Sequence, residues 1–366
     1  MLTIDAAAGG GGLLRTALPL SVALGVPVRL RNVRVTAPER GLAWPHVRLV
    51  EGLCGWTDSD AGDVRAGDTD LIFRPGGIRP VGNLRIDLDD PPRTFEHRDI
   101  TLRRDYSGAK DVFPGGLPDV GGRSVRGYSV CAPLIALLPL LPLMGPRATV
   151  TVRGGTETGG APFADAVRYA LLPALAAQFK VGLAMSVDQR GCIGIGGGEV
   201  TAAAEPAPVV LPTTPTCAGT TAFLYLFGAV RGNVPSRWRD GVRPWLPGPL
   251  RTEVVHVAYP VPRIQQLFLL GGGWPRDVSV CAEEGLPLAA PEVRERVLAE
   301  HRNTGHVSRF LLEQMLLWAA VRGERACWTT EHWTDHLRSV ALVIRVLSGR
   351  TVITRRFSDT VEVTLD

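Results

Sequence analysis

Lysine is almost absent from this sequence of 366 residues. Lys110 and Lys180 are the only two, so 38 of the 40 basic side chains are arginine, and the formal net charge is +4. Two explanations fit this usage. It is typical of the codon bias of a GC-rich genome, and it is also typical of a phosphate-binding protein, because a guanidinium group binds phosphate in a bidentate way. The composition leaves both open.

Long apolar runs are also missing. The longest, Val130 to Met144, has 15 residues and is interrupted by Pro133, Pro139 and Pro142, whereas a membrane-spanning helix needs about 20 apolar residues. No basic region opens the N-terminus, so no signal peptide is visible. We therefore expect a buried segment at 130–144 and a cytoplasmic protein without a membrane partner.

Cysteines are few, and no two of them form a Cys-x-x-Cys pair. The six stand at positions 54, 131, 192, 217, 281 and 327, which favours free thiols over disulfides or a zinc site. His332 and His336 have the spacing of helical metal ligands, but the His-Glu-x-x-His order is absent and no third ligand is evident. We predict no metal site built from these residues.

Short strand-like runs alternate with helix-like apolar stretches, and glycines separate them. The pairs are Leu2–Asp5 with Leu13–Leu24, Ala148–Arg153 with Ala164–Phe179, and Gly196–Gly198 followed by Glu199–Ala203. Near the end, helices are predicted over His306–Val321 and Asp335–Leu347, followed by a hairpin of Thr351–Arg356 and Thr360–Leu365. This alternation predicts an α/β or α+β fold of repeated βα units.

Residues 204–290 differ from the rest of the chain. They open with four prolines within ten residues and contain their own strand-like run, Thr252–Tyr259. We predict a small inserted α/β domain at 204–290, within a core domain formed by residues 1–203 and 291–366. Residues 86–127 form a second departure, a polar, glycine-rich excursion that includes Arg103, Arg104 and Asp105.

Two features of the sequence suggest phosphate chemistry. Gly9–Gly12, directly before a predicted helix, could surround a phosphate with backbone N–H groups, with Arg15 as a further contact, or could be a tight turn. The segment lacks the spacing of a P-loop or a dinucleotide-binding loop. A single histidine can also act as a nucleophile toward phosphorus. The chain has seven histidines, and composition does not choose among them.

A series of short motifs runs along the chain. The motifs are Ile4-Asp5 with the glycines and Leu13–Leu18, Val33–Val35, Gly41-Leu42, His46-Val47, Phe73–Gly76, Arg153–Glu157 with Ala161-Pro162 and Asp165, Arg190-Gly191 with Gly196–Val200, Phe310–Gln314, and Thr334–Ser339 with Val343-Ile344. Similar motifs occur in the same order in the RNA 3′-terminal phosphate cyclases, and the sequence resembles that family.

The resemblance implies a fold of repeated ββαβα-type units with a small inserted domain. It also implies a reaction in which a histidine takes AMP from ATP and passes it to the 3′-phosphate of RNA. The neighbouring 2′-hydroxyl then displaces AMP and leaves a 2′,3′-cyclic phosphate. The cofactors implied are ATP and a divalent cation, Mg²⁺ or Mn²⁺. The partners expected are an RNA 3′ end or a small phosphorylated or carboxylated substrate, and a second copy of the chain in a homodimer.

The same resemblance assigns roles to residues. His336 is the implied catalytic nucleophile. The implied nucleotide-binding residues are Phe310, Glu313, Gln314 and Pro162. The implied phosphate- or substrate-binding residues are Arg15, Arg34, His46, Gly11 and Gly12. Residues 86–127 replace a family segment near the nucleotide pocket, so we predict that they form a lid or wall beside His336; the alternative is a surface insertion far from the cleft.

Several positions depart from the family pattern. The loop glutamate that helps to hold the cation has no counterpart among Ala6–Gly12, a second arginine is replaced by Ala37, and the glutamine before His46 is Pro45. Two alternatives to a cyclase therefore stay open. One is a relative recruited to the ATP-dependent activation of a small molecule in a biosynthetic pathway. The other is a non-catalytic member that binds RNA or a ribonucleoprotein.

Overall fold

The computed structural model describes most of the chain outside two long stretches. The described residues are 1–7, 9–37, 40–78, 82–89, 128–157, 161–191, 196–207 and 307–366, together with 220–227, 236, 240, 243–245, 250–257, 264–271 and 280–283. The greater part of the predicted excursion at 86–127 lies outside these residues, and so does His306. The predicted lid therefore remains a prediction.

Helices and strands alternate through the described residues. The helices are α1 (Gly10–Leu24), α2 (Trp44–Trp56), α3 (Cys131–Leu137), α4 (Leu141–Met144), α5 (Ala164–Ala166), α6 (Leu172–Phe179), α7 (Arg309–Arg322) and α8 (Asp335–Ser348). Short 3₁₀ turns lie at Leu138–Leu140 and Arg243–Trp245, and a π-helical turn at Val167–Leu171 joins α5 to α6.

The strands form four small sheets. They are β1 (Leu2–Asp5), β2 (Val28–Arg31), β3 (Asp70–Phe73), β4 (Asn83–Asp87), β5 (Thr149–Gly154), β6 (Gly182–Gln189), β7 (Gly198–Glu205), β8 (Thr220–Phe227), β9 (Leu250–Val257), β10 (Ile264–Gly271), β11 (Val280–Glu283), β12 (Ala326–Thr330), β13 (Val352–Arg356) and β14 (Val361–Leu365). Their orders are β1-β2-β3, β4-β5-β7-β6, β11-β10-β8-β9 and β12-β14-β13. The sheets β1-β2-β3, β4-β5-β7-β6 and β11-β10-β8-β9 each contain one parallel pair, and the remaining pairs are antiparallel.

The mixed α/β class predicted from the sequence is confirmed by this architecture. The sheet of β8 to β11 is built within the segment predicted as an insertion, but the division into 204–290 and a core of 1–203 with 291–366 stays a prediction. The segment 130–144 is largely buried, as expected, although Leu143 is exposed, and Cys54 and Cys327 are free thiols. Among the described helices, none is long and apolar enough to cross a membrane.

Helix α1 lies at the centre of the core. It packs against α8, α3, α7 and α2, and its apolar side chains Leu14, Leu18 and Leu20 are almost fully buried. Glycines end α1, α7 and α8 in the left-handed conformation: Gly25, Gly323 and Gly349 have φ of 67°, 69° and 72°. The packing of α1 against α7 and α8 brings residues near the two chain ends into one region.

Two predicted boundaries are wrong. The glycine loop before Leu13 is shorter than expected, because α1 begins at Gly10 and takes Gly11 and Gly12 into its first turn. Helix α7 begins at Arg309 and not at His306, because the Ser308 hydroxyl accepts a hydrogen bond from the Leu311 N–H at 3.4 Å and caps the helix there. Both helix starts lie at the candidate site.

Candidate active site

The first two turns of four helices carry most of the site residues predicted from the sequence. They are Gly11, Gly12 and Arg15 on α1, His46 on α2, Phe310, Glu313 and Gln314 on α7, and His336 on α8. The first N–H groups of a helix have no partner within it, and that end carries a partial positive charge. An arrangement of this kind favours an anion.

Gly11 is in contact with two of the predicted phosphate-binding side chains. A Cβ atom on Gly11 would lie 2.6 Å from His46 Nε2 and 3.3 Å from Arg15 Nη1. Only a residue without a side chain lets the imidazole and the guanidinium approach the α1 backbone so closely. The predicted meeting of Arg15 and His46 at the glycine segment is therefore what the structure shows.

Gly12 has the same relation to His336. A Cβ atom on Gly12 would lie 2.9 Å from His336 Nδ1 and 3.9 Å from Arg15 Nη2. The Arg15 guanidinium thus lies beside the bare backbone of both Gly11 and Gly12. The proposed nucleophile and the proposed phosphate ligands form one cluster around the start of α1.

The protonation state of His46 follows from its surroundings. Its Nδ1 accepts a hydrogen bond from the Ala43 N–H at 3.0 Å, which leaves Nε2 as the nitrogen that carries the proton. Burial, followed by the charges of Arg15 and Arg34, lowers the pKa of His46 to about 3. At neutral pH His46 is therefore an uncharged donor whose N–H faces Gly11.

His336 is exposed on the second residue of α8. The helix start is fixed by Thr334, whose hydroxyl accepts a hydrogen bond from the Leu337 N–H at 3.2 Å. Partial burial and the charges of Arg15 and Arg309 lower the pKa of the imidazole, and Asp335 opposes them. A lowered pKa keeps the ring neutral near pH 7, which a nucleophilic histidine requires.

Arg34 approaches the cluster from the segment after β2. Its Nη1 donates a hydrogen bond to the Gly41 carbonyl at 3.1 Å, and its backbone has a positive φ of 50°. Its charge contributes to the lowered pKa of His46. The guanidinium is therefore fixed at the Gly41 carbonyl, where its charge acts on His46.

Glu313 is the acidic side chain of this group of residues. Burial raises its pKa to about 7, and Arg15 and Arg309 oppose the rise. Arg309, the first residue of α7, was not predicted from the sequence. It is exposed, and it is one of 38 arginines in the chain, so its residue type alone did not indicate a role. Its effect on both Glu313 and His336 places it at the same site.

The other predicted nucleotide-binding residues lie around this cluster or outside it. Phe310 is partly buried and packs against the core. Gln314 is 9% exposed, and its Oε1 has no hydrogen-bond partner among the described residues. Pro162 lies in the turn before α5 and is partly buried; it is not among the groups that meet at Gly11 and Gly12.

The donor set fits a nucleotide better than a metal ion. The described groups are the guanidinium of Arg15 at the glycines, the guanidinium of Arg309 that acts on His336, the neutral N–H of His46 and the start of α1. All of them suit phosphate oxygens. The described residues hold no group of three or more His, Cys, Asp or Glu side chains that could bind a metal ion. Glu313 alone, with its raised pKa and two nearby arginines, does not fit a divalent cation.

A second buried polar cluster was not predicted. Arg190 forms ion pairs with Glu157 at 2.5 Å and Asp165 at 2.7 Å, and the Tyr225 hydroxyl of β8 donates a hydrogen bond to Asp165 at 2.7 Å. Burial raises the pKa of Glu157 to about 7, although Arg190 and Thr156 oppose this. The motifs contain three of these residues, but nothing in their spacing indicates that they meet Tyr225.

Comparison with known proteins finds one family. The model of the RNA 3′-terminal phosphate cyclase family matches residues 6–353. A protein of Archaeoglobus fulgidus named RNA 3′-terminal phosphate cyclase is 26% identical over 363 residues, which cover 96% of this chain and 97% of that protein. A protein of the same name from Methylococcus capsulatus is 27% identical over 92% of this chain and 87% of its own length.

A third relative of that name, from Halobacterium salinarum, is 30% identical over 57% of this chain and 53% of its own. The match to the family model spans both the glycine segment of α1 and the start of α8, the two places where the site residues meet. The resemblance recognised in the sequence is thereby confirmed, and the chain belongs to the RNA 3′-terminal phosphate cyclase family.

Proposed function

We propose that this protein is an ATP-dependent nucleotidyl-transferring cyclase that converts a terminal 3′-phosphate of RNA into a 2′,3′-cyclic phosphate through a histidine–AMP intermediate on His336. The observation that carries the proposal is the position of His336 Nδ1, 2.9 Å from the place of a Cβ on Gly12 and beside Arg15. A neutral imidazole and a phosphate-binding backbone thus share one surface.

The first chemical step uses the neutral state of His336. A ring nitrogen attacks the α-phosphorus of ATP, an N–P bond forms, the bond from that phosphorus to the bridging oxygen breaks, and pyrophosphate leaves. Arg15 and the N–H of His46 Nε2 are placed to stabilise charge on the phosphate oxygens. Arg34 supports them from the segment after β2.

The second and third steps transfer AMP and close the ring. An oxygen of the RNA 3′-phosphate attacks the phosphorus held on His336, and the N–P bond breaks. The 2′-hydroxyl then attacks the activated 3′-phosphate, loses its proton, and AMP leaves with the bridging oxygen. Activation is needed because a phosphate monoester has no good leaving group of its own.

The remaining assignments belong to the same proposal. Phe310, Glu313, Gln314 and Pro162 would contact the base and ribose of the nucleotide. A divalent cation, Mg²⁺ or Mn²⁺, would enter with the nucleotide, bound by phosphate oxygens and water. The repeated βα units, the homodimer and the cytoplasmic location expected from the sequence stay predictions.

Intact-mass analysis tests the first step directly. After incubation with ATP and Mg²⁺, the wild-type protein should gain the mass of one AMP, and His336→Ala should not. His332→Ala is the matched control, because His332 is an exposed histidine just before α8 and should leave the modification unchanged. No mass gain in the wild type, or an equal gain in His336→Ala, would refute the proposal.

Recruitment to the activation of a small molecule is the second candidate. It is favoured by the replacement of a family segment by residues 86–127, which leaves the substrate side of the site different from the family pattern. Cyclisation of a 3′-phosphorylated oligonucleotide at an enzymatic rate would exclude it. Modification of His336 without such cyclisation would support it, and the absence of both would favour a non-catalytic, RNA-binding member.

A further inference from the structure

Arg309 is the one site residue that the sequence motifs did not indicate. It opens α7 directly after the Ser308 cap, and Glu313 stands four residues further along. Residues at this spacing lie one above the other on the same face of a helix. Because Glu313 interacts electrostatically with Arg15, the face of α7 that carries Arg309 is the face turned toward α1.

The Arg309 guanidinium is available to a ligand. The side chain is exposed, and it makes no hydrogen bond or ion pair with any described residue. Two other exposed arginines on the same pair of helices are occupied: Arg322 is paired with Glu324 at 2.5 Å, and Arg338 is paired with Asp335 at 2.5 Å. Arg309 differs from these two arginines in having no carboxylate at contact distance among the described residues.

The charge of Arg309 acts on the reacting histidine. Together with burial and Arg15, it lowers the pKa of His336, and it counteracts the effect of burial on Glu313. Geometry agrees with this, because Arg309 lies one turn from Glu313 and α7 packs against both α1, which carries Arg15, and α8, which carries His336. Arg309 thus lies at the solvent side of the site, with Arg15 more deeply placed.

The positive charge of the site favours binding of an anion with several oxygens. Arg15 and Arg309 both act on the site, no carboxylate occurs among residues 6–12, Asp335 is paired with Arg338, and Glu313 has a raised pKa. Guanidinium groups hold phosphate oxygens through short, charge-assisted hydrogen bonds. A phosphate between α1 and α7 would give both arginines a partner.

We propose that Arg309 is a phosphate-binding residue of the active site, which holds a phosphate group at the solvent-exposed side of that site. This inference rests on the proposed function. The phosphate belongs either to the nucleotide or to the RNA 3′ end, and one binding experiment with two ligands distinguishes the sources.

The experiment measures equilibrium binding to the wild type, Arg309→Ala, Arg309→Lys and Arg322→Ala. The first probe is adenosine 5′-(α,β-methylene)triphosphate, which cannot be cleaved at the α-phosphorus. The second is an RNA oligonucleotide with a 3′-phosphate, compared with the same oligonucleotide ending in a 3′-hydroxyl. Arg322→Ala is the matched control, because it removes an exposed arginine from the other end of α7.

Arg309→Ala should bind one of the two phosphate ligands about 10- to 100-fold more weakly, the range expected for losing hydrogen bonds to a charged group. Arg309→Lys should lose less, since it keeps the charge but not the bidentate geometry. Arg322→Ala should bind like the wild type, and no variant should change binding of the 3′-hydroxyl oligonucleotide. Loss confined to the nucleotide identifies its phosphates as the ligand, and loss confined to the 3′-phosphate identifies the RNA end.

Different results would refute the role of Arg309 and the proposed function. If the wild type binds both phosphate ligands and Arg309→Ala binds them equally well, the role of Arg309 is refuted and the proposed function stands. If the wild type binds neither ligand, the proposed function is refuted together with this inference. Unchanged thermal unfolding of Arg309→Ala, expected for an exposed side chain without a partner in the described structure, separates lost binding from lost folding.

Discussion

Gly12 is a residue at which helix stability and the proposed chemistry make opposite demands. Alanine is a better helix former than glycine by about 1 kcal/mol, but a Cβ on Gly12 would lie 2.9 Å from His336 Nδ1. The exposed imidazole can rotate away at little cost. Gly12→Ala should therefore unfold at the same temperature as the wild type or higher, and modify His336 at least about tenfold more slowly, because small displacements of a reacting group are costly.

The control for this prediction is Gly55→Ala on α2. No atom lies within 4 Å of the place where its Cβ would be, so the substitution should leave the rate of His336 modification unchanged. Thermal unfolding and intact-mass time courses on both variants provide the measurements. An unchanged rate in Gly12→Ala would show that the contact between Gly12 and His336 does not position the nucleophile.

The pH dependence of the first step follows from the surroundings of His336. Burial, Arg15 and Arg309 lower its pKa from an ordinary value of about 6.5. The ring is then neutral throughout the physiological range, and the rate of modification should fall only in acid, with a midpoint below 6.5. Removal of a nearby positive charge in Arg309→Ala should move that midpoint to higher pH, measured from single-turnover rates between pH 4.5 and 8. A midpoint that does not move would contradict the proximity of Arg309.

Individual site residues differed in how far the sequence could predict them. Arg15, His46 and His336 stand in motifs whose order was recognisable, and the structure brings all three to Gly11 and Gly12. Arg309 could not be predicted, because an arginine is uninformative where 38 of 40 basic residues are arginine. Its role depends on the orientation of α7 relative to α1, which is a property of packing and not of any local pattern.

At the scale of elements, the sequence predicted the last residues of α7 and α8 to within one residue and the start of α8, but it placed the start of α7 at His306 instead of Arg309. Ser308 and Thr334 are side-chain caps, and Gly323 and Gly349 end the same helices in the left-handed conformation. The start of α1 was misplaced because four consecutive glycines predict a turn. The helix nevertheless begins at Gly10, and its following apolar residues are buried in the core, so tertiary packing outweighs the low helix propensity of glycine.

The Arg190 cluster connects four parts of the chain: the turns after β5 and β6, helix α5 and strand β8. Its loss should therefore lower the free energy of unfolding. Glu157 and Asp165 are almost fully buried, and the Arg190 side chain is 18% exposed. Arg190→Ala would leave two buried carboxylates without their cation, which costs about 3–5 kcal/mol of unfolding free energy. Urea denaturation should show this loss. Arg85→Ala, which removes an exposed partner of Glu199, should cost about 1 kcal/mol or less.

Tyr225→Phe probes the same cluster from β8. It removes only the hydroxyl that donates to Asp165, so we expect a loss of about 1 kcal/mol. The total loss of unfolding free energy in the double variant Arg190→Ala/Tyr225→Phe should be smaller than the sum of the losses in the two single variants, because both side chains act on Asp165. Fully additive losses would show that the two side chains stabilise the chain independently.

At the scale of the whole molecule, the fold assembles the site from distant parts of the chain. Helices α1 and α2 lie within the first 56 residues, and α7 and α8 lie beyond residue 308. The packing of α1 against α7 and α8 joins them. The sequence predicted α1, α7 and α8 but not α2. The common meeting point of these helices could be inferred only through the family resemblance, because no pattern of spacing relates positions about 300 residues apart.

Assembly of such a site has a measurable consequence for the stability of the molecule. Burial raises the pKa of Glu313 from 4.5 to about 7, so between these values the folded chain binds more protons than the unfolded chain. The contribution of the Glu313 carboxyl to the free energy of unfolding is present below pH 4.5 and is lost as pH rises toward 7, by up to about 3 kcal/mol. Glutamine has a similar shape and no charge at any pH.

Glu313→Gln should therefore gain stability relative to the wild type as pH rises from 4.5 to 7, measured by urea denaturation at several pH values. The control Glu324→Gln, an exposed glutamate paired with Arg322, should differ from the wild type by less than about 1 kcal/mol throughout. Because an ionised Glu313 also opposes anion binding, a bound phosphate should favour its protonated form, and phosphate binding near pH 7 should take up protons in the wild type but less in Glu313→Gln. A constant stability difference across this pH range would show that Glu313 is ionised in the folded protein as it is in the unfolded chain, and that the arginines around it outweigh its burial.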